Sequence, residues 1–78
     1  NNRGLAYKNK GEYDRAIADF NQAIQINPKL AIAFNNRGLA YDKKGEYDRA
    51  ITDFNQAILL NPKLELAFNN RGTAYKNK

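Results

Sequence analysis

Asn-Asn-Arg-Gly stands at residues 1–4, 35–38 and 69–72, each copy 34 residues from the next. Two kinds of chemistry are on offer there. A carboxamide carries two N–H donors and one carbonyl acceptor, so paired Asn side chains can hydrogen-bond a polar partner. A guanidinium is permanently charged and grips a carboxylate with two parallel bonds. Carboxylates of the same period are present, since Asp19 and Asp53 each stand immediately before a Phe. The rest of the composition argues against catalysis. There is no His, Cys or Ser, and the only hydroxyls outside Tyr belong to Thr52 and Thr73. The common nucleophiles and the commonest general base are therefore missing. Lys-Gly-Glu-Tyr-Asp, at 10–14 and 44–48, brings two carboxylates beside a turn, but without a third ligand or calcium-loop spacing. No glycine-rich phosphate loop occurs. The expectation is a non-enzyme with no metal and no cofactor.

The elements that hold these residues follow from an internal repeat. Residues 1–34 and 35–68 align without a gap and agree at 27 of 34 positions, and residues 69–78 repeat the first ten except at Thr73. The predicted organisation is a repeat over 1–34, a second over 35–68 and the first helix of a third over 69–78. Within a repeat, Tyr13, Ala16, Ile17, Phe20, Ala23 and Ile24 recur at helical steps. Gly11 is expected to separate this helix from the one before it. Asn27-Pro28 ends it, because Pro disfavours helical geometry in the residue that precedes it. The next helix is expected from about Pro28 or Lys29 to Gly45, with Leu30, Phe34, Gly38 and Tyr41 on one face. Short links between helices make antiparallel neighbours. One such hairpin cannot bury its own apolar face, so hairpins stack into an α-solenoid.

The net charge of +5 is unevenly spread. Residues 35–68 are balanced, with five basic and five acidic side chains, whereas residues 69–78 carry three basic and none acidic. A nucleic-acid surface is therefore not the favoured reading, and it would show itself as a steep loss of affinity with salt. No apolar run reaches the 18 or more residues of a membrane span. The polar opening gives no sign of a leader peptide, and the compartment stays open, with the cytoplasm as default.

Period and motif together resemble the tetratricopeptide repeat, over the whole chain. The second unit supplies Phe34 in the slot of the family's Trp, then Gly38, Tyr41, Ala50, Phe54, Ala57 and Pro62; the first supplies Gly4, Tyr7, Ala16, Phe20, Ala23 and Pro28. The resemblance implies an all-α, right-handed solenoid of two antiparallel hairpins plus one extra helix. It also explains Gly in a helix, where it costs roughly 1 kcal/mol against Ala. In this family the Gly and the small Ala residues sit where helices cross closely. One departure is the Arg before the Gly, at Arg3, Arg37 and Arg71, where the family usually has Leu. Ion pairs Arg3–Asp19 and Arg37–Asp53, or a bridge Arg37–Asp19 between hairpins, would account for it; the rival reading is an Arg that faces a ligand.

The resemblance further implies that first helices line a concave groove for a protein or peptide segment. On the helical wheel the groove face carries Asn2 and Leu5 in the first unit. In the second it carries Ile32, Asn35, Asn36, Leu39 and Lys43, and in the third Leu66, Asn69, Asn70 and Thr73. Asn pairs in phase make a ladder of carboxamides able to hold a peptide backbone, with Ile32, Leu39 and Leu66 as apolar contacts. The carboxylate-clamp subtype, which binds chaperone C-termini, uses Lys, Asn, Asn, Lys and Arg where this chain has Asn1, Leu5, Asn36, Leu66 and Asn70. Only Asn36 fits, so chaperone-tail specificity is not expected. A structural alternative also stands: Leu64, Phe68 and Tyr75 form an apolar end that could continue the solenoid head to tail into a homo-oligomer.

Overall fold

The computed structural model of the chain describes residues 10–78. Among them are four α-helices and no strand: α1, Lys10–Ile26; α2, Ala31–Lys43; α3, Tyr47–Leu60; and α4, Glu65–Asn77. α2 packs against both α1 and α3, while α4 packs against α3 and touches α2. The result is an all-α solenoid built from helical hairpins.

α3 is the spine of this arrangement. Its Ala50, Phe54 and Ala57 are fully buried at steps of four and three, with Ile51 beside them. The other face presents Arg49, Thr52, Asn55 and Leu59 to solvent. Ala74 of α4 joins the same core, with Leu39 and Tyr41 of α2 packed against it. The closest approach is at Gly38. A Cβ there would stand 2.6 Å from Phe54 Cε1, 2.9 Å from Phe54 Cδ1 and 3.1 Å from the Ala50 carbonyl oxygen. Real Cβ atoms do not come that close to a ring, so only Gly lets α2 lie on α3.

The turns are set by local chemistry. Asn27 Oδ1 accepts from the Lys29 amide (3.2 Å) and Asn61 Oδ1 from the Lys63 amide (3.1 Å), two copies of one Asx-type turn. Pro28 and Lys29 belong to this turn. α2 therefore starts at Ala31, after Leu30, later than the Pro28 or Lys29 that the sequence suggests. At the other end of α2, Gly45 adopts φ +86°. The Gly45 amide donates to Asp42 O (3.0 Å) and the Glu46 amide to Tyr41 O (2.9 Å). That is a Schellman closure, which needs a left-handed residue and therefore Gly. The equivalent Gly11 behaves differently from the sequence expectation: it lies inside α1. Its φ is not positive, and among the described residues nothing beyond its own stretch of helix comes within 4 Å of where its Cβ would stand.

Gly38 and Gly72 make a controlled comparison, since both are in first helices and follow Arg. Gly38→Ala is expected to destabilise the chain by about 1–3 kcal/mol through overpacking. Among the described residues nothing beyond its own stretch of helix stands within 4 Å of a Cβ at Gly72, so Gly72→Ala is expected to stabilise by up to about 1 kcal/mol from helix propensity. Urea denaturation followed by circular dichroism measures both; equal effects of the same sign would contradict the packing account.

Candidate peptide-binding groove

The side chain that ties α2 to its neighbours is Arg37. Its Nε and Nη2 donate to Asp53 Oδ2 and Oδ1 on α3, at 2.8 and 2.7 Å. Its Nη1 donates to Asn21 Oδ1 on α1, at 2.8 Å. The guanidinium also lies 5.3 Å from the Phe34 ring centroid, a cation–π distance. Asp53 keeps 5% of its side-chain surface in water and Arg37 21%. Hydrogen bonding to Asp53 holds the Arg37 guanidinium above its ordinary pKa, with burial opposing. The charge is thus consumed within the fold, on the side of α2 that meets α1 and α3. The bridge to the preceding hairpin runs through Asn21 and not through Asp19, which is exposed. Arg3 lies outside the described residues. Arg71 repeats the outer part of the pattern, with Nη1 on Asn55 Oδ1 at 2.8 Å and the guanidinium 5.4 Å from the Phe68 centroid. Asn21 and Asn55 escape a reading by single motifs. Their signal is present nonetheless: they stand 34 residues apart, each two after the Asp.

The Asn residues form a connected set along α2 and α4. Asn70 Nδ2 donates to Asn35 Oδ1 at 3.0 Å, and Asn35 Nδ2 reaches Asn36 Oδ1 at 3.4 Å. Asn35 is only 1% exposed. It therefore cannot line the groove as the helical wheel suggests, because the neighbouring first helix covers it. Its carboxamide is a buried link, and a buried polar side chain without such partners would be costly. Asn36 and Asn70 remain half-buried, and Asn69 is exposed.

The other sequence-derived groove residues are placed as follows. Ile32, Lys43 and Leu66 are exposed, and Leu39 is half-buried against the core. Thr73 is exposed, and its hydroxyl donates to the Asn69 carbonyl at 3.1 Å. Asn2 and Leu5 lie outside the described residues. A hollow of about 320 Å³ is lined by Tyr13 and Phe20 from α1 and by Asn36, Leu39, Ala40 and Lys43 from α2. Among the described residues no cluster of carboxylates could hold a metal ion. At the far edge, Lys44 joins the Asp14 carboxylate on α1 and Glu46, 3.2 Å away, before α3. These pairs are solvent-exposed and contribute little to stability.

Known proteins place this architecture. A family model described as TPR repeat matches residues 4–45, and one described as tetratricopeptide repeat matches residues 31–64. The chain belongs to the tetratricopeptide repeat family, whose members are protein-interaction modules. Among solved structures it is similar to the second TPR of Spaghetti (RPAP3) bound to the HSP90 peptide SRMEEVD. The TM-score is 0.82 and the identity 37%, over 96% of this chain and 69% of that one. No curated protein matches the sequence.

Arg37→Leu, which installs the family's usual residue, leaves the Asp53 carboxylate buried without its cation. Breaking a fully buried pair costs about 3–5 kcal/mol; the partial exposure of Arg37 lowers the expected loss to about 2–3 kcal/mol. Adding Asp53→Leu to Arg37→Leu is expected to recover most of it. Urea midpoints of the two variants decide the matter, and a single variant as stable as the parent would show that the pair contributes nothing.

Proposed function

We propose that this chain is a non-catalytic scaffold that holds a peptide or protein segment in extended form along the first helices α2 and α4. The observation that carries this reading is the amide link from Asn70 through buried Asn35 to Asn36. It pins two half-exposed carboxamides at equivalent places on successive helices. Asn70 spends one N–H on Asn35 and keeps its carbonyl; Asn36 lends its carbonyl and keeps both N–H donors. A peptide backbone offers the complementary acceptor and donor without regard to side chain. Ile32, Leu39 and Leu66 supply apolar contact beside the amides, with Asn69, Thr73 and Lys43 completing the face. The similarity to a domain of known structure with a peptide bound supports a peptide as the class of partner. That peptide carries two Glu and an Asp. Leu66 and Asn70 stand here where the clamp subtype has Lys and Arg, so this groove favours a neutral or apolar segment over an acidic tail.

Self-association is a second reading, favoured by one observation. Phe68 is 43% exposed and Tyr75 57% exposed on α4, while Leu64 beside them is half-buried. An apolar face of this kind is a contact surface when another copy can cover it.

The groove reading is tested by screening a library of neutral peptides and measuring affinity by fluorescence anisotropy. Asn36→Ala and Asn70→Ala are each expected to weaken the selected peptide about 5- to 10-fold, as for about one hydrogen bond lost, with the helical content unchanged. SRMEEVD is expected to bind more weakly than the selected peptide. Undiminished affinity in both variants would place binding elsewhere.

A further inference from the structure

α2 and α4 present one short stretch twice. Residues Ile32–Asn36 and Leu66–Asn70 are uncharged and differ only in Ile for Leu. Ile32 and Leu66 are exposed, while Asn36 and Asn70 are half-buried. Four residues separate the aliphatic side chain from the amide in each copy, so the two share a helix face, about 6 Å apart along the axis. Asn70 Nδ2 gives one N–H to Asn35, and Asn36 enters the link through its Oδ1. Each of these two amides therefore has an N–H left to donate. What recurs from one first helix to the next is one aliphatic contact and one hydrogen-bond donor.

The direct bond from Asn70 to Asn35, 3.0 Å, makes α2 and α4 immediate neighbours, and packed helices lie about 8–10 Å apart. A ligand that uses both copies alike must repeat itself over that distance. A β-strand repeats a face every second residue, about 6.7 Å, which falls short; its third residue has the reach but faces away. A polyproline II helix repeats every third residue, and at about 3.1 Å per residue one turn spans about 9 Å. Its carbonyls make no internal hydrogen bonds and are free to accept. Proline keeps that carbonyl and has no N–H, which suits a face whose recurring polar group is a donor. Resting on the groove reading, we infer that the partner is an uncharged, proline-rich segment in polyproline II form with an aliphatic side chain at every third position. Its backbone crosses Asn36 and Asn70, whose amides donate to carbonyls three residues apart. Its aliphatic side chains rest on Ile32 and Leu66.

Fluorescence anisotropy with three neutral, dye-labelled peptides of equal length tests this. The first repeats Pro-Pro-Leu. The second has the same composition with no two leucines three apart, and the third keeps the leucine period but has Gly for every Pro. The first is expected to bind about 10-fold or more tighter than either control, because the second loses the matched contact and the third must be ordered on binding. Asn36→Ala and Asn70→Ala are each expected to weaken it about 5- to 10-fold. A control that binds as tightly as the first peptide, with the Asn variants still weakening it, would overturn the proline-rich class and leave the groove standing. Failure of the first peptide to bind a chain that binds a library peptide would do the same. Undiminished affinity of every peptide in both Asn variants would overturn the groove and this inference with it.

Discussion

The distance between α2 and α3 at Gly38 governs the rest of the molecule. With the Phe54 ring against a bare Cα, the two helices cross close enough for the residues one step earlier, Arg37 and Asp53, to meet in a two-bond ion pair. A longer approach would leave the carboxylate buried and unpaired, which the fold could not sustain cheaply. The same crossing fixes the rotation of α2 about its axis. Arg37 and Gly38 are turned toward α1 and α3, so Asn35 and Asn36 are turned toward the next first helix and the groove. The helix penalty of Gly is small beside the packing it permits, which is why a poor helix former recurs in this phase.

The site inherits its geometry from that constraint. α4 lies beside α2 at a distance that lets Asn70 reach Asn35 directly. Asn35 is therefore given wholly to holding successive repeats together, while Asn36 and Asn70 keep part of their bonding capacity at the surface. A short polar side chain suits both tasks: it is small enough to bury between helices when bonded and able to serve as donor and acceptor when exposed. Charge plays little part on this face. Arg37 and Arg71, which the sequence would offer to an anionic ligand, are occupied instead by Asp53, Asn21 and Asn55.

Much of the fold is legible in the chain itself, since period, Gly, Ala, Phe and Pro all carry packing information that repeats. The Arg37–Asp53 meeting can be anticipated because both residues recur in one period on helices of a hairpin. Asn35 could not be read correctly. Adjacent residues on a helix differ by about 100°, and a wheel drawn for one helix does not know which of two neighbouring Asn the next repeat will cover. Asn21 and Asn55 are hidden for the same reason, as their partners lie on a different hairpin. α2 starts later than the sequence suggests because an Asx turn at Asn27 absorbs Pro28 and Lys29 before the helix begins. For the Asn residues, what the sequence conceals is a contact between repeats, while the Arg37–Asp53 contact within one repeat is plain.

The most direct test of the groove is a nitrogen–proton correlation spectrum of the labelled chain, with and without a bound peptide from a neutral library. The account predicts that the side-chain amide signals of Asn36 and Asn70 shift together with the backbone signals of Leu39 and Thr73, while those of Asn21 and Asn55 stay in place. Shifts centred on Asn21, Asn55 and the outer faces of α1 and α3, with Asn36 and Asn70 unmoved, would contradict it.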